Sequence, residues 1–139
     1  MAHPARVNVA ANQPDGVVVA EIATDDGRLV TGLEAGPGAD TTQLADDLWH
    51  IADQSTQPLV LDMSRIQWID SGACAVLIRF WKELRAKGRA LTLTVTDPVR
   101  ETFRITGLVR LIPCFAELPE AIEAARAAQP AVSEGLQAG

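Results

Sequence analysis

Asp70-Ser71-Gly72 stands between a short apolar segment, Leu59 to Met63 with its following loop, and a run whose apolar residues recur at helical spacing. That arrangement places Ser71 at a strand-to-helix turn. Helix N-termini leave backbone N–H groups unpaired and carry a partial positive charge, so they accept a phosphate or a carboxylate readily. A serine here can therefore be phosphorylated, gaining about −1.5 to −2 charge, without unfolding the domain. Asp and Ser are also the preferred N-cap residues of any helix, so Asp70 and Ser71 have a purely structural reading as well. Asp70 either caps or orients Ser71, and these roles are compatible. A nucleophilic serine would need a base, and the only histidines are His3, near the N-terminus, and His50, on a predicted helix. No enzymatic activity is expected.

Other side chains with chemical potential lie around this turn. Cys74, one turn into the predicted helix, is either a redox-sensitive thiolate favoured by the helix N-terminus or a small buried hydrophobe. Cys114 can join it in a disulfide only if the Cα atoms approach within roughly 7 Å. The two cysteines are far apart, form no CxxC motif and have no histidines at ligand spacing, so neither a metal nor another cofactor is expected. Trp68, beside the loop, is either core or a contact anchor of the kind enriched at interfaces. Arg79, Lys82, Arg85, Lys87 and Arg89 form a basic stripe, which reads as a solvated helix face or as a surface for an acidic partner. Trp49 and Trp81, on apolar helix faces, are expected in the core.

The elements that position these residues follow from hydrophobic pattern. Arg6 to Ala10 and Val17 to Ile22 are β-rich runs split by Gln13-Pro14-Asp15-Gly16, a turn sequence, and predict an opening hairpin. Between Thr24 and Asp40, turn signals at Asp26-Gly27 and Gly36-Pro37-Gly38 flank one short strand at Leu29 to Leu33. Leu44, Leu48, Trp49 and Ile51 share one face of a helix ending near Ala52, with N-cap candidates from Asp40 to Gln43. The continuous apolar run from Pro58 to Met63 is the pattern of a strand covered on both faces. Val76, Leu77, Phe80, Trp81 and Leu84 then define a second helix, stopped at Lys87-Gly88. Leu91 to Val95 alternates as a strand, Asp97-Pro98 caps a third helix through Ile105 that closes at Gly107, Ile112 to Phe115 is a last strand, and Leu118 begins a fourth, Ala-rich helix. Strands alternating with helices after a hairpin give an α/β fold, a mixed sheet of about four to six strands with about four helices.

Composition narrows the function. A chain of 139 residues, 47% hydrophobic and 22% charged, is ordinary for one globular domain, here residues 1–128 followed by a small-residue-rich tail at 129–139 expected to be disordered. The net charge of −6 opposes unspecific nucleic-acid binding, which needs an excess of Lys and Arg. The N-terminus opens no apolar run and no window approaches the length of a membrane span, so a cytoplasmic location is expected.

Four blocks in order carry a more specific signal: Val60-Leu61-Asp62-Met63-Ser64, Ile69-Asp70-Ser71, Leu84-Arg85-Ala86-Lys87-Gly88 and Phe103-Arg104-Ile105-Thr106-Gly107-Leu108. Together, over roughly residues 58 to 125, they resemble the STAS domain of bacterial anti-sigma factor antagonists. The resemblance implies the STAS fold. It also implies a regulatory protein that binds an anti-sigma factor, itself a serine kinase, and so regulates transcription, with phosphorylation of Ser71 breaking the complex. Asp70, Ser71, Gly72, Trp68 and Arg79 are the partner-binding residues this reading selects, and a homodimer is compatible with it. An accessory subunit of an ABC lipid transporter and a stress-sensing scaffold are the alternatives, because STAS modules of both kinds use a similar turn. Two positions depart from the family pattern: Gly72-Ala73 replaces its x-Gly pair, and Thr24-Asp25-Asp26 replaces its acidic turn after the second strand.

Overall fold

The computed structural model describes residues 6–12, 16–30 and 41–128. The expected turn residues Gln13 to Asp15, the Gly36-Pro37-Gly38 segment and the tail 129–139 lie outside the described residues. Strands β1 (Arg6–Asn12) and β2 (Val18–Ala23) pair antiparallel, with a register irregularity between Val9 and Ala11. Next come β3 (Arg28–Leu29), α1 (Thr41–Ala52), β4 (Leu59–Met63), β5 (Trp68–Ile69), α2 (Ser71–Ala86), β6 (Leu91–Val95) and α3 (Asp97–Thr106). A 3₁₀ turn (Leu108–Arg110), β7 (Cys114–Phe115) and α4 (Leu118–Ala128) complete the chain.

The main sheet has five strands in the order β1-β2-β4-β6-β7, parallel from β2 onward, as expected for strands joined by helical crossovers. The apolar run of β4 divides between two cores because successive strand residues point to opposite faces. Leu59, Leu61 and Met63 pack with α1, α2 and α3 residues such as Leu48, Leu77, Phe80 and Phe103, whereas Val60 joins Val19, Ala121 and Ala125 beneath α4. The Leu/Thr alternation of β6 does not mark a half-exposed strand. All five positions are buried, and the Thr92 hydroxyl donates to the Ala121 carbonyl at 2.8 Å, which satisfies its polar atom under α4.

The C-terminal ends of α2 and α3 fall where the punctuation predicts, whereas Thr96 is the N-cap of α3 and Asp97-Pro98 form its first turn. Chain reversal after α2 uses Gly88 at φ 73°, and α3 ends on Gly107 at φ 83°, both in the left-handed region that glycine enters without strain. Other expectations are corrected. Of the strand expected over Leu29 to Leu33, β3 is seen at Arg28–Leu29 and Thr31 to Leu33 lie outside the described residues; its partner β5 gives no sequence signal because two paired residues carry no periodicity, and the last strand, expected over Ile112 to Phe115, is β7 at Cys114–Phe115. Trp49 and Trp81 flank the core instead of filling it: Trp49 meets Phe80 edge-on at 5.0 Å, with Lys87 Nζ over its ring at 4.9 Å. Arg89 lies beyond α2 and is not part of an outward stripe. Its guanidinium donates to the Gln57 carbonyl at 2.7 Å and the Ala52 carbonyl at 2.6 Å, tying the end of α1 to the loop before β4. Burial pushes its pKa down, with Asp53 acting in the opposite direction.

Candidate functional site

The turn into α2 assigns separate roles to Asp70 and Ser71. Asp70 is the N-cap, in extended backbone at φ −93° and ψ 172°, and its Oδ1 accepts the Ala73 N–H at 2.8 Å. It is only 8% exposed. Its N–H donates to the Leu29 carbonyl at 3.2 Å, and its carbonyl accepts the Cys74 N–H at 3.1 Å, starting the helical ladder. Ser71 is therefore the first helical residue and not the cap, and its side chain is exposed. The two readings left open by residue type are resolved by geometry: Asp70 holds the helix end, and Ser71 projects to solvent beside it. Gly72 and Ala73 are buried in a regular first turn.

The loop presenting Ser71 is pinned along its length. Asp62 Oδ1 accepts the Ser64 N–H at 3.0 Å, and the Ile66 N–H returns to the Met63 carbonyl at 3.0 Å. The Thr96 hydroxyl donates to the Ile66 carbonyl at 2.6 Å from the start of α3, and the Ile66 side chain is fully buried. The Gly27 carbonyl then accepts the Gln67 N–H at 2.7 Å and the Trp68 N–H at 3.2 Å. Gly27 sits at φ 74°, and a Cβ there would lie 3.3 Å from the Arg65 carbonyl oxygen, so the turn after β2 needs glycine for both backbone angle and space. Thr24-Asp25-Asp26 thus leads into a backbone clamp on the site loop.

Trp68 is exposed at 42%, with the Arg28 guanidinium over its ring at 4.8 Å. Arg79 is exposed on α2, eight residues on from Ser71, as are Lys82 and Arg85, and Lys87 is exposed at the C-cap. Arg85 lies over the Trp81 ring at 5.3 Å. Trp68 and Ser71 are exposed on this stretch, Asp70 and Gly72 are buried in it, and Arg79 is exposed on α2 about two turns beyond Ser71.

The cysteines lack the conditions for a reactive thiolate. Cys74 is 5% exposed, and burial first, then the nearby Asp70 charge, pushes its thiol up to about 11. Desolvation outweighs the helix N-terminus at this depth. Cys114, half-buried with its Sγ 3.2 Å from the Ile112 carbonyl, is likewise pushed up to about 11 by burial, with Arg100 opposing. Both are free thiols. His50 is exposed on α1. Among the described residues no group of three or more His, Cys, Asp or Glu side chains is arranged to hold a metal, and no helix is long and apolar enough to cross a membrane.

Sequence reasoning missed Gly27, Arg28, Leu29 and Thr96 as builders of this site. The Asp26-Gly27 turn signal was visible, but nothing local reveals that its carbonyl faces a loop some forty residues later.

Comparison with known proteins agrees with this architecture. Residues 38–121 match the family model of the STAS domain. The chain is 31% identical over 107 residues to BtrV of Bordetella bronchiseptica, provisionally named an anti-sigma factor antagonist, covering 76% of this chain and 92% of that protein. Among solved structures, an anti-sigma factor antagonist from Mycobacterium paratuberculosis superposes with a TM-score of 0.67 at 21% identity, over 90% of this chain and 95% of the other. The antagonist SpoIIAA in its unphosphorylated form superposes with a TM-score of 0.61 at 20% identity, over 88% and 96%.

Proposed function

This chain belongs to the STAS domain family, and from that premise we propose that it is an anti-sigma factor antagonist whose partner-binding surface is switched by phosphorylation of Ser71. The observation that carries this reading is the division of labour at the turn: Asp70 caps α2 with its Oδ1 on the Ala73 N–H, so the exposed Ser71 hydroxyl has no structural duty to abandon. In the proposed reaction Ser71 Oγ attacks the γ-phosphorus of ATP held by the anti-sigma factor kinase. The new Oγ–P bond replaces the bond to ADP, and the hydroxyl proton passes to a base on the kinase. The product adds about −1.5 to −2 charge at a helix N-terminus that tolerates it, so the fold persists while the surface changes.

Trp68, Ser71 and Arg79 are the exposed residues of the proposed contact surface, and the buried Asp70 and Gly72, selected from sequence as contacts, instead shape the backbone beneath it. The exposed indole of Trp68 supplies the large amphipathic area typical of interface anchors, and Asp70 acts mainly by fixing the backbone that carries Ser71. The chain works here as a binding module, with the phosphotransfer chemistry supplied by its partner.

A pull-down comparing wild type, Ser71→Ala and Ser71→Glu tests the reading. Capture of an anti-sigma factor kinase by the first two and its loss with Glu is the expected pattern. Incubation with that kinase and ATP should add one phosphate, mapped by mass spectrometry to Ser71. Phosphate on another residue, or equal capture by all three proteins, would refute it.

A further inference from the structure

In a chain of net charge −6, α2 carries Arg79, Lys82 and Arg85 against the single acid Glu83, and all three cations are exposed. Among the described residues none of them forms an ion pair, and Arg85 rests on the Trp81 ring. Ser71, Ala75, Ile78 and Lys82 follow one another at steps of four, three and four residues, so they share one side of the helix, with Arg79 and Arg85 flanking them. At about 1.5 Å rise per residue, Arg79 lies about 12 Å and Lys82 about 17 Å along the axis from Ser71. A standard interface buries roughly 800 Å² on each partner, a patch about 30 Å across, so a protein seated between Ser71 and Lys82 covers both of them together with Arg79.

We propose that this face of α2 docks an acidic surface of the partner. The proposal rests on the reading of Ser71 given above and adds the chemistry of what binds. Its logic is one of sign. A phosphoserine at the end of the face would hold a basic partner surface more tightly, whereas it repels the acidic surface that Arg79, Lys82 and Arg85 attract. An acidic partner surface is consistent both with a basic docking face and with release on phosphorylation. The Debye length falls from about 10 Å at 0.1 M salt to about 3 Å at 1 M, so rising salt weakens both the attraction that steers association and the repulsion at a negatively charged residue 71.

Association kinetics with the purified anti-sigma factor kinase captured by wild type, at about 50 mM and about 500 mM NaCl, provide the test. R79E/K82E should slow association by about tenfold or more at low salt and much less at high salt. The same charge change placed elsewhere, R110E/R126E, should alter it by less than about twofold. The binding penalty of Ser71→Glu should shrink as salt rises. Equal slowing by both double variants, or a Ser71→Glu penalty indifferent to salt, would overturn the proposal. If no kinase is captured, the functional reading fails, yet the face can still be tested by titrating the ¹⁵N-labelled full chain with poly-L-glutamate. Amide shifts centred on Ala75, Arg79 and Lys82 and lost in R79E/K82E support an acid-binding face, whereas no shifts, or shifts spread over α3 and α4, refute it.

Discussion

Replacing Asp70 by Ala separates the capping residue from the exposed one. The substitution removes the Oδ1 acceptor of the Ala73 N–H, a 2.8 Å bond in a setting where Asp70 is 8% exposed. Loss of an N-cap costs about 1 kcal/mol, and a buried donor left unpaired costs about 1–3 kcal/mol, so Asp70→Ala should destabilise by roughly 1.5–2 kcal/mol. Asn caps as well as Asp, so Asp70→Asn should recover most of this and lose only the charge–dipole part, about 0.3–1 kcal/mol. Ser71→Ala, at an exposed first helical position, should stay within about 0.5 kcal/mol of wild type. Urea unfolding at neutral pH reads these differences directly. In thermal melts of this 139-residue chain each kcal/mol corresponds to about 3–5 °C. If Ser71→Ala destabilised as much as Asp70→Ala, Ser71 would be a structural cap and its freedom to act as a switch would be lost. An Asp70→Asn variant as unstable as Asp70→Ala would show that charge, not the hydrogen bond, holds the turn.

Further outcomes follow from polar atoms and strained backbone elsewhere. Thr92→Val should destabilise by about 1 kcal/mol through loss of the bond to the Ala121 carbonyl, whereas Thr94→Val should be neutral or stabilising in the same urea assay, because the buried Thr94 hydroxyl has no hydrogen-bond partner among the described residues. Arg89→Ala should destabilise by about 2 kcal/mol, since the Gln57 and Ala52 carbonyls lose a charged donor. Gly27→Val should destabilise by about 1–2 kcal/mol through its φ of 74° and disturb the environment of Trp68, visible in its fluorescence. Cys74 and Cys114, raised from 9.0 to about 11, favour the neutral thiol in the folded state. Their contribution to stability is complete below pH 9.0 and is lost as pH rises from there through about 11, so a Cys74→Ala/Cys114→Ala variant should show a shallower alkaline decline. At pH 8 their alkylation should run about a hundredfold slower than in urea, from the thiolate fraction alone.

Long-period features of the fold were legible because they repeat. α2 is announced by Val76, Leu77, Phe80, Trp81 and Leu84 and stopped by Gly88, and the parallel sheet by the two-faced apolar run of β4. β6 shows the limit of such reading: alternating Leu and Thr look like one wet and one dry face, but α4 brings small residues, Ala121 and Ala125, close enough to cover the threonine side. The β3–β5 pair shows the opposite limit. Two residues on each strand have no period, and what joins them is backbone hydrogen bonding, which is blind to side-chain type. Ser71 could be placed at a helix start from sequence, but whether it or Asp70 made the cap could not, because both residue types serve equally well.

The restraint on the 64–70 loop bears on how a switch here must work. Carbonyls of Gly27, Leu29 and Met63 and the Thr96 hydroxyl hold its backbone, Ile66 anchors it in the core and Asp70 closes the helix end. A phosphate on the outward Ser71 breaks none of these contacts, so it gains little by remodelling the loop and much by altering the field at the surface. A conformational switch would require the phosphate to favour a second arrangement by more than the free energy of several backbone hydrogen bonds and a buried isoleucine, whereas repulsion between surfaces needs no second arrangement. The proposed mechanism therefore places the two states of this protein in its charge pattern, with Trp68 and α2 presenting the same shape in both.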